Sequence, residues 1–177
     1  MSAKPKLKPF SFVVMILVGE SGAGPHDIVR MMREGRWLWT GSESQFYAEP
    51  KRLEKLGYLK SDTEPGITRD RTVYQLTDEG RTALQEWLAE PSNLPRLQDE
   101  QIVRLLGSEF VDPETTLNSL RPLRARLEAD LETLTVIDER ADQFPHRTKV
   151  LRINFRLSRK VIEAHLEWLD EVEAALG

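Results

Sequence analysis

The sequence contains no cysteine among its 177 residues. It therefore has no disulfide framework, no thiolate metal site and no cysteine nucleophile. Long apolar runs are also lacking, since Phe12 to Val18 is far shorter than the roughly 20 residues of a membrane span. Gly19 and Glu20 follow this run where a signal peptide would have a small-residue cleavage site. These absences lead us to expect a cytoplasmic protein.

Signatures of catalysis and of metal binding are scarce as well. His26, His146 and His165 lie too far apart in the sequence to show the spacing of a zinc site. The glycine-rich stretch 19–24 lacks the Lys-Ser/Thr ending of a phosphate-binding loop. No Ser/His/Asp order and no isolated carboxylate pair is present. We therefore expect no metal, no cofactor and no enzymatic activity.

Excess positive charge is absent too, because the net charge is −4. The charge is unevenly distributed, however. Residues 1–80 hold 12 Lys and Arg against 11 Asp and Glu, whereas residues 81–177 hold 13 against 18. The acidic excess belongs to the second half, so a surface that binds a polyanion is to be sought in the first 80 residues.

The first half of the chain shows the order of a winged helix-turn-helix: three helices, a two-stranded hairpin and a further helix. Because the hairpin directly follows the third helix, it has the position of a wing. The expected elements are an apolar helix at Phe10–Val18 with Ser11 as its N-cap, a helix from Pro25 to Gly35, a helix from its N-cap Ser42 to Gly57, strands at Tyr58–Glu64 and Arg71–Leu76, and a helix capped by Thr77.

The second half is helical in pattern. Asp112 as N-cap and Pro113 at the first helical position begin a long helix with leucines at steps of three and four, and Phe144-Pro145 ends it. A final helix follows. We expect a mainly α fold with a winged-helix DNA-binding domain at 1–89, a linker at 90–98 and a helical dimerisation domain at 99–177.

The third helix is the candidate for contact with the major groove, and basic residues at the wing tip for contact with phosphates. The alternative is an ordinary polar helix face, and Glu43 and Glu49 would repel phosphate if they faced it. Pro50 predicts a kink or an adjusted turn. The predicted DNA-binding residues are Ser42, Ser44, Gln45, Tyr47 and Lys51 on the helix and Arg69 and Arg71 on the wing, with Lys4, Lys6 and Lys8 adding positive charge.

Two stretches carry a family resemblance that covers residues 10–88. The run Ser42-Glu-Ser-Gln-Phe-Tyr-Ala-Glu-Pro-Lys-Arg-Leu-Glu-Lys-Leu-Gly-Tyr-Leu59 resembles the recognition helix of PadR-type transcriptional regulators. The run Arg71-Thr-Val-Tyr-Gln-Leu-Thr-Asp-Glu-Gly80 is similar to their second wing strand and the next helix start. Departures are Pro25-His26-Asp27, where the family usually has Gly-Tyr before an acidic residue, and Pro50 in place of a commoner Leu.

The resemblance implies a homodimeric repressor that binds a palindromic operator, with the long helices similar to the virulence-regulator-like subgroup. It also implies, for some members, a small aromatic effector, for which Trp37, Trp39 and Trp87 are candidate contacts; plain core packing is the alternative. A winged-helix module that binds protein rather than DNA is the second function considered.

The leucine-rich long helices are the candidate dimerisation element, and a closed intrachain hairpin is the alternative. The basic stretch Arg147–Lys160 is either a second anionic-ligand patch or the partner of the acidic stretch Glu128–Asp142 on the neighbouring helix. The predicted dimerisation residues are Leu117, Leu120, Leu127, Leu131, Leu134, Leu157, Val161, Trp168 and Val172.

Overall fold

The computed structural model describes residues 6–34, 39, 41–65, 70–95 and 98–177. The chain forms two compact units, residues 1–93 and 94–177. The predicted fold class is confirmed: three helices and a two-stranded wing precede long C-terminal helices. The first unit contains α1 (Pro9–Val18), α2 (Pro25–Glu34), α3 (Glu43–Lys55), β1 (Leu59–Glu64), β2 (Arg71–Leu76) and α4 (Asp78–Ala89). The second unit contains α5 (Glu100–Leu106), α6 (Pro113–Arg140) and α7 (Thr148–Leu176). It also contains two single 3-10 turns, Ser108–Phe110 and Ala141–Gln143.

Helix α1 begins earlier than expected, at Pro9, and the prediction of Ser11 as its N-cap is wrong. Proline suits the first helical position because its missing N–H has no partner there. Ser11 lies one turn inside the helix and is 1% exposed. Its Oγ accepts from the Lys8 backbone N–H at 3.4 Å and from Arg52 Nη2 at 3.0 Å. Ser11 therefore links the start of α1 to α3.

The core of the first unit lies between α1, α2, α3 and the inner face of the wing. Val14, Met15, Ile28 and Leu53 are fully buried at its centre. Helix α3 is continuous across Pro50, which is itself buried. Burial of that proline ring offsets the hydrogen bond that its missing N–H removes from the helix.

The end of α3 has the hydrogen bonds of a Schellman motif, as the glycine after the helix predicts. Gly57 has φ 84° and its N–H donates to the Glu54 carbonyl at 2.9 Å. The Tyr58 N–H donates to the Leu53 carbonyl at 3.0 Å. Thr77 Oγ1 donates to the Gly57 carbonyl at 2.6 Å, so the start of α4 is tied directly to the end of α3.

The wing is an antiparallel pair in which Leu59 faces Leu76 and Glu64 faces Arg71. Ala23, in the turn before α2, adds an antiparallel bridge to Tyr74, with both N–H to carbonyl distances at 3.0 Å. The sequence does not predict this bridge, because a single residue has no periodicity. It anchors the wing to the turn between α1 and α2.

The second unit is an antiparallel hairpin of α6 and α7. Asp112 caps α6 as predicted: its Oδ1 accepts from the Thr115 N–H at 2.8 Å. The hydrogen bonds from Thr115 lower the pKa of the Asp112 carboxyl. Arg124 reaches Asp170 at 2.6 Å near one end of the hairpin, and Arg152 reaches Asp142 at 2.8 Å near the other. Within the described residues no helix is both long and apolar enough to cross a membrane.

His165 of α7 contacts Asp99, the N-cap residue of α5. His165 Nε2 lies 2.8 Å from Asp99 Oδ2 and its Nδ1 lies 2.7 Å from the Val161 carbonyl oxygen. Both ring nitrogens therefore face acceptors, which favours the doubly protonated ring. Burial lowers the pKa of His165, but the bonds to Val161 and Asp99 outweigh it and the net shift is upward. Asp99 also caps α5 through the Gln101 N–H at 3.0 Å.

We expect this contact to stabilise the second unit in mild acid and less in base. Because the folded-state pKa is raised, the contribution is complete below the unfolded value near 6.5 and is lost as the pH rises through the folded-state value. Urea unfolding of the wild type and His165→Gln should differ by about 1–2 kcal/mol at pH 5.5. The difference should shrink at pH 9, and a difference independent of pH would contradict the charged contact.

Candidate nucleic-acid interface

The N-terminus of α3 is closed by a capping box that uses two of the predicted DNA-binding residues. The Gln45 N–H donates to Ser42 Oγ at 3.4 Å, and the Ser42 N–H donates to Gln45 Oε1 at 3.0 Å. Ser42 Oγ also lies 3.0 Å from Ser44 Oγ. The three exposed polar side chains are therefore held in fixed positions at the first turn of the helix.

Tyr47 stands on the exposed side of α3 and is positioned by a residue of α2. Its hydroxyl lies 3.1 Å from His26 Nδ1, and the two rings meet edge to face with centroids 5.7 Å apart. The sequence shows His26 without the spacing of a zinc site and does not predict this contact. The available signal was the departure at Pro25-His26-Asp27, at the start of the helix that packs beside α3.

Lys51 lies one turn further along α3 and is exposed. It forms no ion pair with any residue that the structure describes. Its ammonium group is therefore available to a phosphate, the group to which a lysine on a DNA-binding helix most often contributes charge.

The two glutamates that counted against DNA binding are each paired with an arginine of the same unit. Arg33 on α2 donates from Nε to Glu43 Oε1 at 2.9 Å, and this bond and the Glu43 charge raise the pKa of Arg33. Arg52 donates to both carboxylate oxygens of Glu49, from Nη2 to Oε1 at 2.6 Å and from Nε to Oε2 at 2.9 Å. Burial raises the pKa of Glu49, but the hydrogen bonds from Arg52 and Ser11 outweigh it and the pKa falls. Each carboxylate remains charged beside an opposite charge.

The wing presents Arg71 at the outer end of β2. Its Nη2 lies 2.8 Å from Glu64 Oε2 on the facing strand. Such an exposed pair contributes at most about 1 kcal/mol, so a phosphate can compete for the guanidinium. The other predicted wing residue, Arg69, lies outside the described residues, as does Lys4.

The tryptophans do not form one cluster in the described structure. Trp87 stacks on Phe12, with ring centroids 4.5 Å apart and 5° between the planes. Trp39 is half-buried against the core and lines an open groove. Trp37 lies outside the described residues. The packing alternative therefore fits Trp87, whereas Trp39 lines the groove.

The predicted dimerisation residues fall into two groups. Leu120, Leu127, Leu134 and Val172 are buried between α6 and α7 of the same chain. Leu157 and Val161 on α7 are instead 58% and 40% exposed. The remaining three are half-buried: Leu117, Leu131 and Trp168. The leucine repeat thus fills the intrachain seam, and the two predicted dimerisation residues that remain exposed lie on α7.

We call this surface the open stripe of α7; its apolar members are Val150, Ile153, Leu157 and Val161, which are 40% to 59% exposed. Exposed charged residues run along the helix beside these apolar residues, at spacings of three, four or seven positions. They are positive toward its N-terminus and negative toward its C-terminus: Lys149, Arg156, Lys160, Glu163, Glu167 and Glu171.

Two arginines of the basic stretch, Arg152 and Arg159, contact α6 or the 3-10 turn that follows it. Arg152 lies 4.0 Å from Asp138 and 2.8 Å from Asp142. Arg159 Nη2 donates to Thr135 Oγ1 at 3.0 Å. Arg152 therefore pairs with the acidic stretch as the structural interpretation predicts, whereas the printed partner of Arg159 is a threonine within that stretch. In the described part of the chain no three His, Asp or Glu side chains are grouped as a metal site would require.

Comparison with known families covers most of the chain in two parts. A model of the Transcriptional regulator PadR-like family matches residues 25–86. A model named Virulence activator alpha C-term matches residues 97–177. The first match contains α2, α3 and the wing, and the second contains α5, α6 and α7.

Two curated proteins are similar in sequence. The probable transcriptional regulator Rv1176c of Mycobacterium tuberculosis is 27% identical over 183 residues, which span 92% of this chain and 95% of that protein. The negative transcriptional regulator PadR of Bacillus subtilis is 26% identical over 102 residues, 55% of this chain and 56% of that protein.

Solved structures share the fold. Bacillus subtilis PadR in complex with operator DNA has a TM-score of 0.81 at 19% identity, covering 96% of this chain and 100% of that one. The same protein with p-coumaric acid has a TM-score of 0.74 at 18% identity over 96% and 99%. The virulence activator AphA of Vibrio cholerae has a TM-score of 0.69 at 23% identity over 93% and 97%.

Proposed function

Because the chain belongs to the PadR-like family of DNA-binding transcriptional regulators, and not to an enzyme family, we propose that it represses transcription as a homodimer on a palindromic operator. The observation that carries the DNA contact is the exposed face of α3. It presents the exposed Ser44 and Lys51 and the half-buried Tyr47, and each of the two nearby glutamates is paired with an arginine of the same unit.

The contacts divide by chemistry. Short polar side chains and the Tyr47 hydroxyl suit the edges of bases in the major groove. Lys51 and Arg71 supply charge to the phosphates, which positions the helix without specifying sequence. Arg69 is included in this proposal because the sequence predicts it at the wing tip. A winged helix that binds only protein would need no such charges.

Replacement of Lys51 by Gln should weaken operator binding about tenfold and reduce the slope of log K against log salt by about 1, because one phosphate contact is lost. Fluorescence anisotropy with a labelled operator across a salt series measures both quantities. The operator itself comes from selection of bound fragments from a genomic pool.

The matched control for this variant is Arg104→Gln, which removes one exposed positive charge from α5 in the second unit. It should leave both the affinity and the slope unchanged. Binding that does not depend on salt in the wild type would count against DNA as the partner and in favour of the protein-binding alternative.

The dimer follows from the open stripe of α7. Placed antiparallel to a second copy about a two-fold axis near Val161, the stripe brings Lys160 opposite the partner's Glu163 and Arg156 opposite the partner's Glu167. Both pairs occur twice, because an interface with two-fold symmetry is self-complementary. Leu157 and Val161 fill its centre, where their exposure in one chain is otherwise unfavourable.

A two-fold dimer presents two copies of α3 and therefore requires two inverted half-sites, about one helical turn apart. Repression is proposed because the relative from Bacillus subtilis is a negative regulator. A small aromatic effector that releases the operator is proposed because that relative has been crystallised with p-coumaric acid.

A further inference from the structure

The hydroxyl of Tyr47 could take part in a DNA contact in either direction. A phenolic hydroxyl has one proton to donate and lone pairs that accept. A hydroxyl with no other partner can therefore bind a base carbonyl or a base amino group. Its direction toward DNA becomes fixed once a neighbouring side chain occupies its proton.

His26 of α2 meets this hydroxyl. Its Nδ1 lies 3.1 Å from Tyr47 Oη, and the two rings are 79° apart in plane with centroids 5.7 Å apart. A phenol is the stronger donor of the two groups and an unprotonated imidazole nitrogen is the stronger acceptor, because the phenol is the more acidic and the imidazole the more basic. The Tyr47 O–H therefore donates to Nδ1, and only its lone pairs remain for another partner.

Both residues of this pair stand on backbone that is held by neighbouring positions. Ala23, three positions before His26, is bridged to the wing, and Ile28, two positions after it, is fully buried. Phe46, directly before Tyr47, is also buried. The contact between the imidazole and the hydroxyl is therefore built into the packing of α2 on α3.

An ion pair beside this contact holds the same two helices together. Arg33 Nε donates to Glu43 Oε1 at 2.9 Å. Arg33 lies two helical turns after His26 on α2, and Glu43 lies one turn before Tyr47 on α3. Two side chains of α2 thus contact one face of α3 at successive turns. The charged groups bind each other there, and the hydroxyl is bound by the imidazole.

The direction of a hydrogen bond carries sequence information in the major groove. Adenine N6 and cytosine N4 are amino groups that donate, whereas guanine O6 and thymine O4 are carbonyls that accept. A hydroxyl whose proton is already occupied can only accept, and so it pairs with the amino group. Such a hydroxyl distinguishes adenine or cytosine from guanine or thymine on the strand that it contacts.

We propose that His26 is a positioning residue for base recognition. It occupies the Tyr47 proton, so that Tyr47 accepts a hydrogen bond from a base amino group and selects adenine or cytosine at one position of each half-site. The inference rests on the proposed function, because it requires α3 to lie in the major groove. His26 itself belongs to Pro25-His26-Asp27, the segment in which this chain departs from the usual pattern of the family.

The test is a panel of labelled duplexes in which each position of the selected half-site carries all four base pairs in turn. Fluorescence anisotropy of the full chain gives the affinity for each duplex and for a scrambled one. The wild type should prefer adenine or cytosine over guanine or thymine about tenfold at one position. We call this ratio the amino preference.

Two replacements of His26 separate its hydrogen bond from its ring. His26→Phe keeps an aromatic ring but frees the Tyr47 proton, so the amino preference should fall to about twofold while the scrambled duplex binds as before. His26→Asn lacks the ring but offers an amide oxygen in the place of Nδ1. It should restore the preference to at least about fivefold.

A double-mutant cycle tests whether His26 acts through the hydroxyl. Tyr47→Phe should reduce the amino preference to about twofold, and addition of His26→Phe should change it no further, because the shared hydrogen bond is already absent. The matched control is His146→Phe, at an exposed histidine in the turn before α7. It should leave every affinity in the panel unchanged.

Several results would overturn the inference. One is an amino preference that survives in His26→Phe or in Tyr47→Phe, and another is an Asn variant no better than the Phe variant, since ring packing would then be responsible. A preference for guanine or thymine would show that Nδ1 carries the proton. An equal loss on all duplexes with a smaller salt slope would make His26 a phosphate contact instead. A wild type that binds the scrambled duplex as tightly as the selected one fails the proposed function itself.

Discussion

Reversal of the positive half of the open stripe, Arg156→Glu with Lys160→Glu, should convert the proposed dimer to a monomer at micromolar concentration. In the antiparallel arrangement the change places like charges opposite each other at four contacts. Together these cost about 3 kcal/mol, on the order of a 100-fold rise in the dimer dissociation constant. Sedimentation equilibrium measures the constant, and operator affinity should fall with it because two half-sites are no longer bound together.

A second variant makes this prediction specific. Glu163→Lys with Glu167→Lys should also be monomeric, for the same reason with the opposite sign. Mixed together, the acidic and the basic variant should form a heterodimer, because the charges across the axis are again opposite. The control is Arg121→Glu with Arg126→Glu, two exposed arginines of α6, which should remain dimeric. A control that dissociates, or a mixture that stays monomeric, would contradict the α7 interface.

Gly80→Ala should destabilise the winged helix by about 3 kcal/mol, the upper range for a side chain forced into a packed site. A Cβ at Gly80 would overlap the carbonyl oxygen of Tyr58, which is backbone and has no flexible end to move away. The same displacement would break the bond from the Gly80 N–H to Thr77 Oγ1, now 3.0 Å. Urea unfolding followed by tryptophan fluorescence measures the loss.

Gly107→Ala is the comparison for that variant. A Cβ at Gly107 would meet only the Arg104 and Val103 carbonyl oxygens at 3.7 Å, an ordinary van der Waals distance. Its φ of −89° is also accessible to alanine. We therefore expect a change within about 0.5 kcal/mol. Equal losses in the two variants would show that the approach of α4 to Tyr58 does not limit stability.

Features that depend on neighbours in sequence were predicted correctly. Thr77 caps α4, Gly57 ends α3 in a left-handed conformation, and Asp112 with Pro113 begins α6. Each depends on hydrogen bonds or dihedral angles within one helical turn, so the residue types alone indicate it. The start of α1 was misplaced because both Pro9 and Ser11 suit a helix start, and the contact of Ser11 with Arg52 arises from residues 41 positions apart.

The candidate site was predicted less completely. The sequence singled out Ser44, Tyr47 and Lys51 by their place on one helix. It did not reveal His26 beside Tyr47 or Arg33 beside Glu43, because these partners come from α2. The Glu49–Arg52 pair could have been predicted from the sequence, because residues three positions apart are neighbours on a helix surface.

By itself, then, the sequence determined a winged helix followed by long helices, and its charge distribution directed the search for a polyanion-binding surface to the half without acidic excess. Local hydrogen bonding and apolar periodicity are sufficient for those conclusions. Only the tertiary structure decided which leucines of α6 close onto α7 and which residues of α7 remain open. It also decided that Arg33 pairs with Glu43 and Arg52 with Glu49. These outcomes depend on contacts between elements distant in sequence, which no local pattern encodes.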